Sequence, residues 1–353
     1  MSEQNSSEAQ AALAGEGHVA GGLPPHDEKR SVLNRVLGGS AGRSIGLVIA
    51  LLALFVVGTI TAGDRFANVE NVLTIIRFAS IIGVVSIGMT FVITAGGIDL
   101  SVGSVLGLAS VVATLSWVQN FADASNWIVM VIIALAVGAG AGLINGIVIA
   151  YGNVVAFIAT LAMLVAARGL AEVLANRTTQ IVRQQGFLDF FRGDILGVSI
   201  LIWIFAIVVL AGWFLLNRTT FGRRTVAIGG NLEAARLAGI KVKRHMMYLY
   251  VLSGLTAGIA GVMMLARTTA GTSTHGTLYE LDAIAAVVVG GTLLVGGRGT
   301  IMGTVLGVLI FSTLTNVFTQ NNLSTSVQAI AKGVIIVIAV LLQQRFANRA
   351  SRK

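Results

Sequence analysis

Residues 131–150, VIIALAVGAGAGLINGIVIA, carry no charge in twenty positions and do not alternate apolar with polar side chains. As a helix such a run crosses a hydrocarbon layer ~30 Å thick. Backbone groups left unpaired in lipid are too costly, so only helices and closed barrels span it. A barrel strand would alternate over about ten residues, and this run does not. Similar runs recur at about 45–62, 72–95, 100–118, 127–149, 153–172, 198–216, 246–266, 281–296, 300–319 and 327–344. The chain therefore reads as an all-α polytopic membrane protein with about ten transmembrane helices. Its 55% hydrophobic and 11% charged residues exclude a pair of ordinary soluble domains.

The cations set the orientation. Between the sixth and seventh runs, 217–245 holds Arg218, Arg223, Arg224, Arg236, Lys241, Lys243 and Arg244 against Glu233. Such a loop belongs on the cytoplasmic side. Counting outward places both termini there, with Arg345, Arg349, Arg352 and Lys353 on the same side. Residues 1–43 read as a disordered cytoplasmic tail, 44–344 as the transmembrane domain, and 345–353 as a basic cytoplasmic tail. A net charge of +9 would suggest nucleic acid in a soluble protein, but here the cations flank apolar runs, and no nucleic-acid partner is expected. The absence of cysteine excludes disulfides and thiolate sites, and four scattered histidines predict no metal site.

One pattern occurs twice. Gly96-Gly97 with Gly103-Ser104-Val105-Leu106-Gly107 returns as Gly296-Gly297 with Gly303-Thr304-Val305-Leu306-Gly307. Internal repeats are common in transporters, whose paths tend to lie between the copies. Glycines at four-residue spacing also let helices approach closely, as Gly138, Gly142 and Gly146 would. Asp99 follows the first glycine pair, and its counterpart is Gly299. The carboxylate has two readings: a cap accepting from the amides of Ser101 or Val102, or a relay or substrate ligand, since an acid within a membrane is costly.

In the basic loop, GGNLEAARLAGIKV at 229–242 predicts a short helix, with Asn231 as its N-cap, Glu233 in its first turn and Gly239 as its end. Two isolated turns are not stable in water, so the helix needs a partner, either anionic lipid or a protein. Leu232, Leu237 and Ile240 would supply apolar anchors.

Together, GGIDLSVGSVLG, AIGGNLEAARLAGIKV, YVLSGLTAGIAGVMMLAR and YELDAIAAVVVGGTLLVGGRGTIMGTVLG resemble the membrane-spanning permease subunit of ribose-type monosaccharide ABC importers. The resemblance runs from about residue 45 to 344, and the N-terminal extension is longer than it leads one to expect. It implies the ABC importer permease fold in the cytoplasmic (inner) membrane, and a non-catalytic subunit carrying a monosaccharide, with a pentose such as ribose or xylose first in line. It further implies a second permease subunit forming a homodimer, a tandem-cassette ATPase and an extracytoplasmic sugar-binding protein. The loop helix would then be the coupling helix, with Asn231, Ala234, Ala235, Arg236, Ala238 and Gly239 meeting the ATPase. No G-x-x-x-x-G-K-[ST] occurs, so ATP and magnesium are expected in the partner and no cofactor in this chain. The alternative is an ion-coupled secondary sugar transporter using Asp99.

A polyol needs neutral hydrogen-bonding groups and an apolar or aromatic face. The expected path and gate residues are Gly96, Gly97, Asp99, Asn145, Phe157, Thr160 and Asn316, with Thr90, Thr94 and Thr292 as further candidates. A threonine bonded back to its own helix is the simpler account of each hydroxyl. Arg177, Arg183, Glu280 and Asp282 are the expected charges at the outer mouth for the binding protein. Lys332 either snorkels or pairs with a carboxylate such as Asp282.

Overall fold

The structure is a computed structural model that describes the backbone of residues 40–351 and, for side chains, residues 45–335 with 337, 338 and 341. Most of the expected N-terminal tail, residues 1–39, lies outside the described residues, as do the side chains of the basic C-terminal segment. The chain divides into Met1–Gly42 and Arg43–Lys353, and apart from the first three residues of the first helix everything below lies in the second unit.

The bundle opens with α1 (Ser40–Ala62), a 3-10 turn (Gly63–Arg65) and α2 (Val69–Thr94). Next come α3 (Val102–Thr114), α4 (Ser116–Ala124), α5 (Ile128–Ala150) and α6 (Ala156–Leu174). A connection with β1 (Gln180–Ile181), α7 (Gln185–Arg192), β2 (Asp194–Ile195) and β3 (Val198–Ser199) leads to α8 (Ile200–Arg218). The basic loop forms α9 (Thr220–Gly230) and α10 (Leu232–Leu237), before α11 (Val242–Thr268) and β4 (Ala270–Gly271). The chain ends with α12 (Tyr279–Val289), α13 (Ile301–Gln320) and α14 (Thr325–Ser351). Among the described residues seven helices are long and apolar enough to cross a membrane, or eight if the bent pair α3–α4 is one span.

α11 is the central post, packed on α5, α2 and α3. Its seam with α5 is backbone against backbone. A Cβ on Gly138 would lie 2.8 Å from Gly258 N, and one on Gly146 would lie 2.8 Å from Met247 Cα. The four-residue glycine spacing is thus a packing device, as lipid demands where no hydrophobic force drives helices together.

Two expected spans are altered. The run 100–118 does not continue straight: the α3–α4 pair bends by 54° at Leu115, whose ψ of 145° is extended. Gln119 fixes the break, donating to Thr114 O at 2.8 Å and Ile181 O at 2.9 Å and accepting from Arg183 N–H at 2.7 Å. The run 281–296 is helical only to Val289. Gly291 takes φ +90°, a left-handed conformation that ends a helix, and the amides of Gly291 and Thr292 return to Val288 O and Val287 O.

The connection after α6 is an ordered platform. α7 buries Phe187 and Phe191 under Trp127, which stacks on Phe190 with ring centroids 5.2 Å apart. β1 pairs antiparallel with β4, tying this platform to the end of α11.

Candidate functional site

The first glycine turn closes α2. The amides of Gly96 and Gly97 bond to Ile93 O and Val92 O, both at 2.9 Å, with Gly96 at φ +82°. Asp99 follows and is 1% exposed. Its Oδ1 accepts the Ser101 amide at 3.0 Å and the Ser101 hydroxyl at 2.6 Å, and its Oδ2 accepts the Ser253 hydroxyl at 2.8 Å. Asn145 Nδ2 donates to Ser101 Oγ at 2.9 Å. Ser101, Asn145 and Ser253 are each 2% exposed or less. A buried carboxylate is tolerable when its lone pairs are met, and these donors come from the turn itself and from α11. The Ser101 amide contact is the local bond expected of Asp99, but the N-cap position of α3 is Ser101 and no side chain caps that helix, while Ser253 adds a tie across the fold that local spacing does not reveal.

The second copy is built differently. Thr300 caps α13, its Oγ1 accepting from the Gly303 amide at 3.0 Å. Gly296 and Gly297, at φ +87° and +78°, form the tip of a loop whose ends are closed by Leu293 N–H to Arg298 O at 3.0 Å and Thr300 N–H to Thr292 Oγ1 at 3.2 Å.

The two turns touch. Gly297 N–H donates to Thr94 O at 2.9 Å, and a Cβ on Gly296 would lie 2.9 Å from Gly96 N. Gly229, near the end of α9, packs on the same spot: a Cβ there would collide with Thr94 O and lie 2.5 Å from Gly297 N. The basic loop therefore reaches both repeat turns through its backbone.

α10 begins three residues beyond Gly229, after its N-cap Asn231. Asn231 Oδ1 accepts the Ala234 amide at 2.9 Å, and the end is a paired turn, Gly239 N–H to Arg236 O at 3.0 Å and Ile240 N–H to Ala235 O at 3.1 Å, with Gly239 at φ +80°. Asn231, Ala234, Arg236, Ala238 and Gly239 are exposed, and Leu237 is 88% exposed. Ala235 faces inward at 4% exposure, so it seats the helix and offers nothing to a partner in this arrangement.

The remaining candidates are dispersed. Asn316 forms a reciprocal amide pair with Asn71, at 3.1 and 2.9 Å, joined by Gln320 at 3.2 Å. Thr90 of α2 and Thr304 of the second copy share a bond of 2.8 Å. Thr160, fully buried, bonds Ala156 O of its own helix at 2.8 Å, and Phe157 is 51% exposed. Arg177 and Arg183 are exposed, with Arg183 donating to Asn120 Oδ1 at 2.8 Å. Glu280 is buried, its Oε2 facing the place where a Gly103 Cβ would stand, and Asp282 is paired with Lys332 at 3.1 Å. Glu280 is thus withdrawn from the surface, while Asp282 keeps 16% of its side chain exposed and shares its charge with Lys332. The pairing option for Lys332 is the one realised.

Sequence reasoning also passed over Arg168. It donates to the carbonyls of Ser273 and, at 2.7 Å, His275, while His275 Nδ1 lies 3.1 Å from Ser110 Oγ. Ser110 spends its own proton on Gly107 O at 2.8 Å, so Nδ1 carries the proton toward it. Burial, with Arg267 and Arg168 nearby, holds the His275 imidazole down to about 4, so it is neutral at physiological pH. A groove lined by Trp117, Phe121, Val129, Ile132 and Ile133 is almost entirely apolar and lacks the convergent polar groups that a sugar needs.

Residues 71–340 match the family described as branched-chain amino acid transport system / permease component. The ribose import permease protein of Escherichia coli (strain K12) is 41% identical over 302 residues, covering 84% of this chain and 92% of that protein. The L-arabinose ABC transporter permease protein of Azospirillum brasilense is 35% identical, covering 86% and 88%. The xylose transport system permease protein of Escherichia coli (strain K12) is 32% identical, covering 86% and 92%. No solved structure matches the chain. With both glycine turns, the Asp99 network and the basic loop all inside the matched residues, the chain belongs to the family of branched-chain amino acid transport system / permease components.

Proposed function

We propose that this chain is the membrane-spanning permease subunit of an ATP-binding-cassette importer, forming the path for a pentose in the cytoplasmic (inner) membrane. The relatives are named for ribose, L-arabinose and xylose. The observation that carries the mechanism is the contact of Gly229 with Thr94 and Gly297, which leaves only Gly230 and Asn231 between both repeat turns and the exposed helix α10. A partner that moves α10 moves the inner end of the helical bundle.

On this reading the chain crosses the membrane about ten times with both termini cytoplasmic, and residues 1–43 and 345–353 flank the transmembrane domain 44–344. It is non-catalytic and holds no cofactor. ATP and magnesium belong to a tandem-cassette ATPase, whose cleft receives α10 through Leu237 and the exposed residues from Asn231 to Gly239. A second copy completes the path, an extracytoplasmic binding protein delivers the sugar, and Arg177 and Arg183 meet its acidic groups. The gate includes Gly96, Gly97 and the turn that Asp99 shapes, with Asn145 bracing it through Ser101; Phe157 and Thr160 lie beside the path. The ion-coupled alternative has no support: Asp99 is sealed among its donors, and the L-arabinose relative is named an ABC transporter permease.

Copurification with the ATPase, followed by measurement of sugar-stimulated ATP hydrolysis, tests this assignment. Leu237→Glu, on a side chain that packs on nothing, is expected to cut the stimulation about ten-fold with the fold intact. Normal stimulation would remove α10 from the coupling route.

A further inference from the structure

The repeat turns and the coupling arm meet without side chains between them. Thr94 O accepts Gly297 N–H at 2.9 Å and at the same time faces Gly229, where no Cβ fits. Gly296 leaves no room for a Cβ either, with Gly229 O at 2.8 Å and Gly96 N at 2.9 Å. Backbone packed on backbone has no rotamers to absorb a displacement, so a push on one member reaches the others undamped. The first copy is held in turn by Asp99 to α11, through Ser253, and the second is held to α2 by the Thr90–Thr304 bond.

We propose that Thr94, Gly229 and Gly297 form a weld that makes the coupling arm and both repeat turns one rigid block, so that ATP-driven motion of α10 carries the two turns together instead of prising them apart. This rests on reading the chain as an importer subunit. It adds which residues transmit the motion and which distance stays fixed while the gate opens.

The assembled transporter, with its ATPase and binding protein in liposomes, is the test object. Gly229→Ala is expected to retain the ATPase on purification and to lose about ten-fold in ATP-driven pentose uptake. Gly230→Ala, where an added Cβ meets nothing within 4 Å, is expected to stay within about two-fold of wild type. Wild-type uptake by Gly229→Ala overturns the weld, and a simultaneous loss in Leu237→Glu keeps the importer reading standing. An equal loss in Gly230→Ala also overturns it, because the helix end rather than the contact would then matter. If the wild-type complex shows no ATP-driven uptake, the reading beneath the proposal falls and the proposal with it.

A second measurement serves if Gly229→Ala does not fold. The chain has no cysteine, so Gly230→Cys and Val295→Cys accept spin labels at exposed positions, with labelled subunits diluted among unlabelled ones. The distance within one chain is expected to be the same in nucleotide-free and ATP-trapped complexes. A change between the two states overturns the weld.

Discussion

Gly299 is bare because Thr94 stands where its side chain would be: a Cβ at 299 would collide with the Thr94 hydroxyl and lie 3.1 Å from Thr94 Cβ. The missing counterpart of Asp99 thus follows from packing. The first copy has room for an acid and the second does not; the helix of the second copy is capped by Thr300, whereas no side chain caps α3. Gly299→Ala is expected to destabilise the detergent-solubilised protein by about 1–3 kcal/mol. Gly140→Ala, where nothing lies within 4 Å, is expected to leave its melting temperature unchanged or raise it. Equal melting temperatures for both variants would count against the packing account.

Asp99 accepts three hydrogen bonds in a closed site. Asp99→Asn keeps an acceptor for Ser101, and the Ser253 hydroxyl can turn to accept from the new amide. Asp99→Leu strands buried donors at about 1–3 kcal/mol each. Folded yield and uptake are expected to survive the first change and to be lost in the second. Loss of uptake in well-folded Asp99→Asn would mean the charge itself matters.

Asn316 and Asn71 hold the far ends of α13 and α2 together. Each single change to Ala is expected to lower stability by about 1–3 kcal/mol. In a double-mutant cycle the two should couple by at least about 0.5 kcal/mol. Additive losses would instead leave Asn316 free to serve the path.

Lys332 and Asp282 are half-buried, with side chains 20% and 16% exposed, and link α14 to α12. Asp282→Asn leaves an unpaired cation and is expected to lower the melting temperature. Combining Asp282→Lys with Lys332→Asp should recover part of the loss. No recovery in the swapped pair would show that position, not pairing, sets the cost.

His275 is neutral in the fold, held down to about 4, against about 6.5 in the unfolded chain. The unfolded state therefore binds the extra proton first. Its contribution is whole above about pH 6.5 and is lost as pH falls from there toward 4. His275→Gln should flatten the stability–pH curve in that window. An unchanged slope would mean the imidazole is not what titrates.

Run length and lack of charge made the helices legible, because lipid leaves the backbone no other open form. The cap at Asn231 and the stop at Gly239 were legible too, being local chemistry. The bend at Leu115 was not, since no Gly or Pro marks it and its cause, Gln119, acts through carbonyls as distant as Ile181. The early end of α12 was partly written in Gly290-Gly291, but the second glycine pair at 296–297 drew the boundary outward. For the site, Ser101 lies two residues from Asp99 and was within reach of local reasoning, whereas Ser253 is 154 residues away. Asn316 needed a partner, as any half-buried amide does, and only the fold names Asn71. Glu280 and Asp282 looked like surface charge because hydropathy does not distinguish an outer mouth from a buried helix start.

The central claim is that this chain moves a pentose only when an ATPase drives it. The direct measurement is uptake of labelled ribose, L-arabinose and xylose into proteoliposomes holding the permease, its ATPase and its binding protein. Uptake of at least one of them that requires ATP and both partners, and ignores an imposed proton or sodium gradient, is the predicted result. Gradient-driven uptake by the permease alone, abolished in Asp99→Asn, would contradict it.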